Sequence, residues 1–171
     1  MVERIVIFGG SGFLGKRLIS SLKNQYKIIV ASRNPDTIKR EDGIEYSAFK
    51  YNTESFKEII DGSDIVVNFS GASIAGKRWN HEYKKIMYDS RIKTTNMITE
   101  AISLCSYKPH TFVSTSATGI YGNQGDEILI ETSPLGNDYL ANMCIDWEKS
   151  ALKSDKENVR TVCIRVGVVL D

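Results

Sequence analysis

The sequence predicts a doubly wound α/β fold with a parallel sheet of about six strands. Short apolar runs alternate along the chain with segments of helical periodicity, and parallel strands require such crossover helices between them. The crossovers are right-handed, so the order of elements along the chain restricts the topology strongly. A length of 171 residues suits one domain with a sizeable core. Residues 1–171 are therefore interpreted as a single domain.

The strands are predicted from apolar and β-branched runs that are bounded by charged or turn-forming residues. These runs span residues 4–8, 27–31, 44–48, 64–70, 111–116 and 159–169. The last run is still strand-like close to the end of the sequence. We therefore expect the chain to be a fragment of a longer protein.

The helices are predicted from apolar residues spaced three and four positions apart. They span residues 13–23, 53–60, 80–105 and 138–154. The third helix is unusually long and must end before Pro109, because the residue before a proline disfavours helical backbone. Its apolar stripe is predicted to lie on the sheet and comprises Tyr83, Ile86, Met87, Thr94, Met97, Ile98, Ala101 and Ile102.

A glycine-rich turn separates the first strand from the first helix. Its residues are Gly9, Gly10, Ser11, Gly12, Phe13, Leu14 and Gly15. Glycines let the backbone pass close to a pyrophosphate, and the unpaired N–H groups of a helix N-terminus favour its negative charge. The spacing alone also fits an ordinary surface loop. The strand before it and the helical pattern after it favour a dinucleotide site.

The end of the second strand carries the residues that choose between the two nicotinamide dinucleotides. An NAD site has an acidic residue here, which binds the ribose hydroxyls, whereas this chain has Ser32 and Arg33. A guanidinium offers a fixed fork of donors to a 2′-phosphate. The sequence therefore favours NADP(H) over NAD(H). The alternative is that Arg33 is a solvated arginine at a strand end.

The composition excludes several classes of partner. The net charge of +1 gives no electrostatic case for binding nucleic acid or an anionic membrane. No apolar stretch reaches the roughly 18 residues that a membrane span needs, and the N-terminus does not resemble a signal sequence. We expect a cytoplasmic protein. Three widely spaced cysteines indicate reduced thiols rather than a disulfide framework or a metal site.

Further motifs resemble the short-chain dehydrogenase/reductase superfamily, in its extended, epimerase/dehydratase-like branch, and the resemblance covers the whole chain. It implies a Rossmann fold. Asn68-Phe69-Ser70-Gly71-Ala72 follows the fourth strand, and residues 114–122 resemble the serine motif of the fifth. The resemblance implies that Ser116 orients the substrate. It also implies cofactor contacts from Ser70, Gly71 and Ala72 at the end of the fourth strand, from Ser114 in the fifth and from Val166 in the sixth.

The chain departs from the superfamily at its catalytic pair. A tyrosine and a lysine one helical turn apart supply the proton there, since the ammonium lowers the pKa of the phenol. When the sequences are aligned on Trp147 and Glu148, these positions fall on Leu140 and Cys144. Residues 71–79, 89–91, 140–148 and 165–170 resemble an atypical subgroup of the superfamily whose substrate is generally unassigned. Full-length members also carry a C-terminal substrate-binding part, which we expect this sequence to lack.

Several other residues are candidates for chemistry, each with a plainer alternative. Arg91 replaces an asparagine of the superfamily and is predicted to bind an anionic substrate or a cofactor phosphate, unless it is an exposed helix arginine. Cys144 is a catalytic candidate, although its place in an apolar stripe favours core packing. Tyr121 is a candidate proton donor, with Tyr139, Cys144 or a bound water as the alternatives. Arg78, in a cationic loop, is either a phosphate ligand or a solvated charge. Trp147 and Glu148 are predicted to serve as helix packing and helix surface.

Two functions are compatible with these patterns. The first is an NADP(H)-binding oxidoreductase or epimerase-like enzyme that acts on a small molecule such as a nucleotide sugar. Its determinants of specificity are expected in the loop of residues 117–134. The second is an NADP(H)-binding regulatory or scaffold protein without catalysis, which the missing tyrosine and lysine suggest. The resemblance also allows a homodimer, because the two longest helices pair subunits in the superfamily.

Overall fold

The computed structural model describes residues 2–170, and all six predicted strands are present in it. They are β1 (Arg4–Phe8), β2 (Lys27–Ser32), β3 (Ile44–Ala48), β4 (Ile65–Asn68), β5 (Thr111–Ala117) and β6 (Arg160–Val166). The strands form one sheet in the order β3-β2-β1-β4-β5-β6, and every neighbouring pair is parallel. The predicted doubly wound α/β fold is confirmed.

Four α-helices cover the two faces of the sheet. They are α1 (Phe13–Leu22), α2 (Thr53–Ile60), α3 (His81–Leu104) and α4 (Tyr139–Ala151). Short 3₁₀ turns lie at Pro35–Thr37, Thr118–Tyr121 and Leu152–Glu157. Among residues 2–170, no helix is long and apolar enough to span a bilayer.

The core consists of two layers, because alternate residues of each strand point to opposite faces. On one face, Val6 and Phe8 of β1 pack with residues of α2, α3 and the end of α4. On the other face, Ile5 and Ile7 pack with Ile19 of α1. Burial on both faces explains why the central strands are continuous apolar runs in the sequence.

Two strand ends lie more than one residue from their predicted positions, and one helix face also differs from the prediction. β6 ends at Val166 rather than at position 169, because its partner strand ends at Ala117, which pairs with Val166. β4 ends at Asn68, opposite the last residue of β1. In α3, Ile86 is 45% exposed instead of lying on the sheet, while the charged Arg91 is buried. Ile86 and Arg91 both lie near the carboxyl edge of the sheet, where the loops that follow the strands begin.

Candidate cofactor site

A crevice of about 330 Å³ opens at the carboxyl ends of β1, β2, β3 and β4. It lies where the strand order reverses, since β1 pairs with β2 on one side and with β4 on the other. Open α/β sheets bind ligands at this switch point. The crevice is lined by Gly9, Ser11, Gly12, Ala31, Ser32, Arg33, Phe49, Tyr51, Phe69, Ser70, Gly71, Ala72, Ile86 and Ser90.

The glycine turn is shaped by close contacts between backbones. Gly9 has a φ of +77°, and a Cβ placed on it would lie 2.7 Å from the carbonyl carbon of Phe69. A Cβ on Gly15 would lie 2.5 Å from the Cα of Gly10. Glycine is therefore required at position 9 for its conformation and at position 15 for the close approach of α1 to the turn.

The N-terminus of α1 faces the crevice with its backbone donors available. The N-cap residue Gly12 has no side chain to accept a hydrogen bond, and the first turn contains no acidic residue. In contrast, α2, α3 and α4 are capped by the side chains of Asn52, Asn80 and Asp138. Unsatisfied N–H groups at a helix N-terminus are a ready anion site, so this end suits a phosphate.

The end of β2 brings Ser32 and Arg33 to the crevice, as the sequence predicted. Arg33 is exposed, and its guanidinium has no salt bridge with any described residue. The hydroxyl of Ser32 accepts a hydrogen bond from the backbone N–H of Asn34 at 3.2 Å, which fixes the turn after the strand. The guanidinium of Arg33 is therefore available beside the crevice, at the end of β2. This is the position from which an arginine can bind the 2′-phosphate of an adenosine ribose.

The opposite wall contains residues that sequence reasoning missed. Phe49 and Tyr51 follow β3 and line the crevice, with their rings 5.6 Å apart in an edge-to-face arrangement. The Tyr51 hydroxyl lies 3.2 Å from Thr94 Oγ1 on α3. Ile86 and Ser90 of α3 complete this wall. Both aromatic residues follow a strand of the predicted sheet, so the rule that ligands bind at carboxyl ends would have found them.

Some residues predicted to contact the cofactor do not line the crevice in the described part of the chain. Gly10 and Gly15 are buried and act by packing, Arg78 is exposed in its loop, and Ser114 is fully buried within the sheet. The complete set outside the crevice lining is Gly10, Phe13, Leu14, Gly15, Arg78, Ser114 and Val166. Phe13 and Leu14 nevertheless lie in the first turn of α1, where their backbones can act without their side chains.

A buried network holds the loop after β4 in place. Asn68 donates from Nδ2 to Thr95 Oγ1 at 3.0 Å, while its Oδ1 accepts from the backbone N–H of Ser70 at 3.0 Å. Trp147 Nε1 donates to the same Thr95 hydroxyl at 2.9 Å. The network joins β4, α3 and α4, so the predicted packing role of Trp147 is confirmed and includes support for the crevice wall.

Arg91 lies directly behind the crevice wall that the loop after β4 forms. Its Nη1 donates to the carbonyl oxygens of Ala72 and Met87, at 3.0 Å each. The guanidinium carbon lies 5.2 Å from the centre of the Trp147 ring. Only 9% of Arg91 is exposed, so the alternative of an exposed helix arginine is wrong. Burial lowers the pKa of the guanidinium from its ordinary value, although not enough to discharge an arginine.

A second polar cluster lies beside the sheet at β5 and β6. Arg165 of β6 forms a bidentate pair with Glu148, with Nε–Oε1 at 2.8 Å and Nη2–Oε2 at 2.9 Å. Its Nη1 donates to the Tyr121 hydroxyl at 2.7 Å and to the Glu131 carbonyl oxygen at 2.8 Å. Glu148 was predicted at the helix surface, which is wrong, because its side chain is only 12% exposed.

This cluster borders a second cavity of about 620 Å³, which is formed largely by the loop after β5 and by β6. Thr118, Tyr121, Glu131, Glu148 and Arg165 contribute its polar groups. Ser116 lies close by on β5 and is 97% buried, since only 3% of it is exposed. The catalytic candidates thus divide into two groups, with Ser116 and Tyr121 near this cavity and Arg91 beside Cys144 between α3 and α4.

Charge in the second cluster is balanced. Burial alone would raise the pKa of Glu148, but its two hydrogen bonds with Arg165 bring it below its usual value. The hydrogen bond to Glu148 also raises the pKa of Arg165. The pair is therefore ionised at neutral pH. Tyr121 accepts from Arg165, which keeps its hydroxyl hydrogen free to point at a ligand in the cavity.

The three cysteines are placed as apolar residues rather than as nucleophiles. Cys144 is 2% exposed and Cys105 is 6% exposed, while Cys163 is half-buried. Burial raises the pKa of Cys144, and it raises the pKa values of Cys105 and Cys163 to about 11 each. A thiol needs its thiolate form to react, so this environment favours the core role of Cys144 that its sequence pattern suggested.

This placement predicts slow thiol chemistry in the folded protein. At pH 8 we expect each cysteine to react with a disulfide reagent roughly 100-fold more slowly than in denaturant, because both the thiolate fraction and access are reduced. The measurement is the time course of colour release from Ellman's reagent with and without guanidinium chloride. One fast thiol in the folded state that disappears in Cys144→Ala would instead support a catalytic cysteine.

The sheet order, the glycine turn and the crevice at the switch point define the Rossmann class of doubly wound α/β domains. The resemblance seen in the sequence is confirmed at this level. The chain belongs to the NAD-dependent epimerase/dehydratase family, whose pattern it matches over residues 5–170.

Individual relatives support this membership. The chloroplastic homologue of epimerase family protein SDR39U1 from Arabidopsis thaliana is 36% identical, covering 97% of this chain and 49% of the relative. The crystal structure of human epimerase family protein SDR39U1 (isoform 2) with NADPH has a TM-score of 0.81 at 26% identity, covering 98% of this chain and 54% of that one.

A third similar protein is the nucleoside-diphosphate sugar epimerase from Corynebacterium glutamicum. Its structure gives a TM-score of 0.78 at 28% identity and covers all of this chain but 35% of the other. The chain spans about half the length of the curated relatives it matches. The matched region contains the crevice, the buried network around Asn68 and the polar cluster around Arg165.

Proposed function

We propose that this chain is the NADP(H)-binding part of an epimerase/dehydratase-like oxidoreductase that acts on a small molecule. One observation carries the proposal: the crevice combines a left-handed glycine turn, an uncapped helix N-terminus and a free arginine fork within one lining. Each feature suits a different part of a phosphorylated dinucleotide. The human relative crystallised with NADPH is consistent with this assignment.

The residues of the crevice fit the cofactor in a definite order. The N–H groups at the start of α1 would hold the pyrophosphate, while Arg33 would pair with the 2′-phosphate of the adenosine ribose. The loop of Ser70 and Gly71 would contact the adenine and ribose side of the cofactor. When bound, NADP(H) supplies hydride transfer. The chain itself would exclude water and orient the reactants, with Ser116 directing the reacting oxygen.

Proton transfer would not follow the usual route of the superfamily. Leu140 has no proton to give, and burial raises the pKa of Cys144, so its thiol is a weak acid that a substrate does not reach. Tyr121 is the better candidate, because Arg165 holds its oxygen at 2.7 Å and leaves the O–H bond free. Its neighbours place it at the second cavity, where a substrate oxygen can approach. We propose a substrate of the sugar type, which carries hydroxyl and carbonyl groups for such contacts.

The cofactor assignment predicts a specific loss in Arg33→Ala. Charge-assisted hydrogen bonds contribute roughly 1.5–3 kcal/mol each, so NADPH should bind about 10- to 100-fold more weakly while NADH binding stays within about twofold. Fluorescence titration with both reduced cofactors measures this. Arg40→Ala is the matched control, since Arg40 is exposed and forms an ion pair with Asp36 on the surface. Equal losses for NADPH and NADH would contradict the role of Arg33.

Catalysis is tested separately from binding. Transfer of deuteride from labelled NADPH to any member of a panel of nucleotide sugars, ketones and aldehydes would establish turnover, and Tyr121→Phe should then reduce it about 100-fold or more. Binding of NADPH without exchange in the full-length protein would instead favour the regulatory or scaffold function. Arg33→Ala weakens cofactor binding in either case, so deuteride transfer is the result that distinguishes the two functions.

A further inference from the structure

The guanidinium of Arg91 is a buried charge without a counter-charge. No carboxylate among residues 2–170 lies within ion-pair distance of it. The titratable side chains that face it belong to Cys144, Tyr139 and Tyr83, and none of them is a carboxylate. Two carbonyl oxygens and the Trp147 ring provide its only compensation in the described structure. A buried charge in this condition is costly.

One edge of the guanidinium is left without partners. Both hydrogen bonds of Arg91 come from Nη1, and Nε is buried with no partner among the described residues. Nη2 likewise forms no hydrogen bond within residues 2–170. Nε and Nη2 together form the side of the guanidinium that binds a carboxylate or a phosphate through two parallel hydrogen bonds. An anion with two oxygen atoms can therefore accept hydrogen bonds from Nε and Nη2 at the same time.

The position of this edge connects it with the crevice. A Cβ on Gly71 would lie 3.1 Å from Cζ and 3.2 Å from Nη2 of Arg91, so the guanidinium packs directly against a glycine that lines the crevice. Two hydrogen bonds tie Ala72 of this loop to α3. Its backbone N–H donates to the Ser90 hydroxyl at 2.9 Å, and its carbonyl oxygen accepts from Arg91. The loop and the guanidinium are thereby held together.

The charge is also close to the helix that lacks the usual ammonium. Arg91 interacts electrostatically with Cys144, which occupies the lysine position of the superfamily. A positive charge missing from α4 is therefore present nearby on α3. Since α3 and α4 pack against each other through Tyr83, Met87 and Met143, this placement is fixed by the core rather than by a mobile loop.

We propose that Arg91 is an anion-binding residue whose Nε–Nη2 edge receives a carboxylate or phosphate group of the substrate. The proposal rests on the proposed function, because the substrate is the one that reacts with the dinucleotide in the crevice. A phosphate of the dinucleotide itself has the same chemistry, so the test separates these two sources. The unpaired charge is kept because binding requires it, at a cost to the stability of the free protein.

The probe is inorganic phosphate, and the reporter is the indole N–H signal of Trp147 in a ¹⁵N-labelled sample. The chain has two tryptophans, so Trp79→Phe assigns the two signals. Phosphate is titrated into the free protein and into protein saturated with NADPH. The variants are Arg91→Met and Arg91→Lys. Lys149→Gln is the control, because it removes an exposed charge from the helix that carries Trp147.

We expect a saturable shift of the Trp147 signal in both states, weakened at least tenfold in Arg91→Met and less in Arg91→Lys, with Lys149→Gln unchanged. The Tm of free Arg91→Met should be equal to or above that of the wild type, since a purely structural arginine would lower it. A shift that disappears when NADPH is bound assigns the anion to the cofactor and overturns the substrate assignment. The absence of any saturable shift, or one unaffected in Arg91→Met, overturns the proposal entirely.

Failure of the proposed function gives a different pattern. The same samples are titrated with NADPH by fluorescence before phosphate is added. If NADPH does not bind while phosphate still shifts the Trp147 signal in an Arg91-dependent way, the dinucleotide assignment fails and the anion site stands. If NADPH binds normally and the phosphate response is missing, the anion site fails and the dinucleotide assignment stands.

Discussion

Gly9→Ala is expected to abolish cofactor binding and to destabilise the fold. The variant would place a side chain on a residue with a φ of +77°, and its Cβ would lie 2.7 Å from the Phe69 carbonyl carbon. The left-handed conformation costs about 1–2 kcal/mol and the overpacking adds about 1–3 kcal/mol. We expect the free energy of unfolding to fall by roughly 3 kcal/mol, and NADPH binding to weaken about 100-fold or more, because the clash moves both crevice walls apart.

Gly43→Ala is a control that introduces the strain of a positive φ without the steric clash expected in Gly9→Ala. Gly43 has a φ of +80°, but a Cβ placed on it meets no atom within 4 Å. The control should lose only about 1 kcal/mol and should bind NADPH as the wild type does. Urea unfolding and fluorescence titration of both variants provide the measurements. Similar stability and affinity in the two variants would show that the approach of Gly9 to Phe69 has no role.

Arg165→Met is the second variant with a large expected effect. The side chains of Arg165 and Glu148 are only 21% and 12% exposed, so the variant leaves a buried carboxylate without its partner. Loss of one member of a buried pair costs about 3–5 kcal/mol. Tyr121 and Glu131 also lose a donor. We expect the free energy of unfolding at pH 7 to fall by about 3 kcal/mol, with the loop that borders the second cavity loosened.

Lowering the pH should reduce the difference in the free energy of unfolding between the wild type and Arg165→Met. The pKa of Glu148 is lower in the folded protein than its usual value, so the stability that the ionised pair contributes is present above the unfolded pKa and is lost as the pH falls through the folded pKa. In Arg165→Met the isolated carboxyl takes up its proton at a higher pH. The gap between wild type and variant should therefore narrow between pH 7 and pH 4 in urea unfolding experiments.

Two controls accompany this prediction. Lys85→Met breaks an exposed pair with Asp89, in which the lysine side chain is 65% exposed, and should cost less than about 1 kcal/mol. Glu148→Gln combined with Arg165→Met removes both charges and should recover part of the loss, because the two sites are coupled. A loss in Arg165→Met as small as that in Lys85→Met would contradict a structural role for the pair.

The strands, the helices and the glycine turn were predictable because their signals are local. An apolar run such as Ile5 to Phe8 specifies a buried strand through its own composition. Gly9, Gly12 and Gly15 specify the turn through spacing and through the elements on either side. The position of Arg33 follows from the end of its strand in the same way. These features need no knowledge of which distant residues meet in the fold.

The surroundings of the polar side chains were not predictable, because they depend on distant contacts. Arg91 fits the helix surface by composition, but Gly71 leaves room for its guanidinium and Trp147 provides a ring to cover it. Glu148 fits the surface for the same reason, until Arg165 reaches it from β6. Such positions are decided by tertiary packing, which overrides the periodicity of a single helix.

The central claim is that the crevice between the glycine turn and the loop after β4 binds a phosphorylated dinucleotide. A crystal structure grown in excess NADPH tests this most directly. The predicted result is density for the pyrophosphate at the start of α1, within hydrogen-bonding distance of the Gly12–Phe13 backbone, with the Arg33 guanidinium on the 2′-phosphate. Density for NADPH elsewhere, or an empty crevice with Arg33 directed into solvent, would contradict the claim.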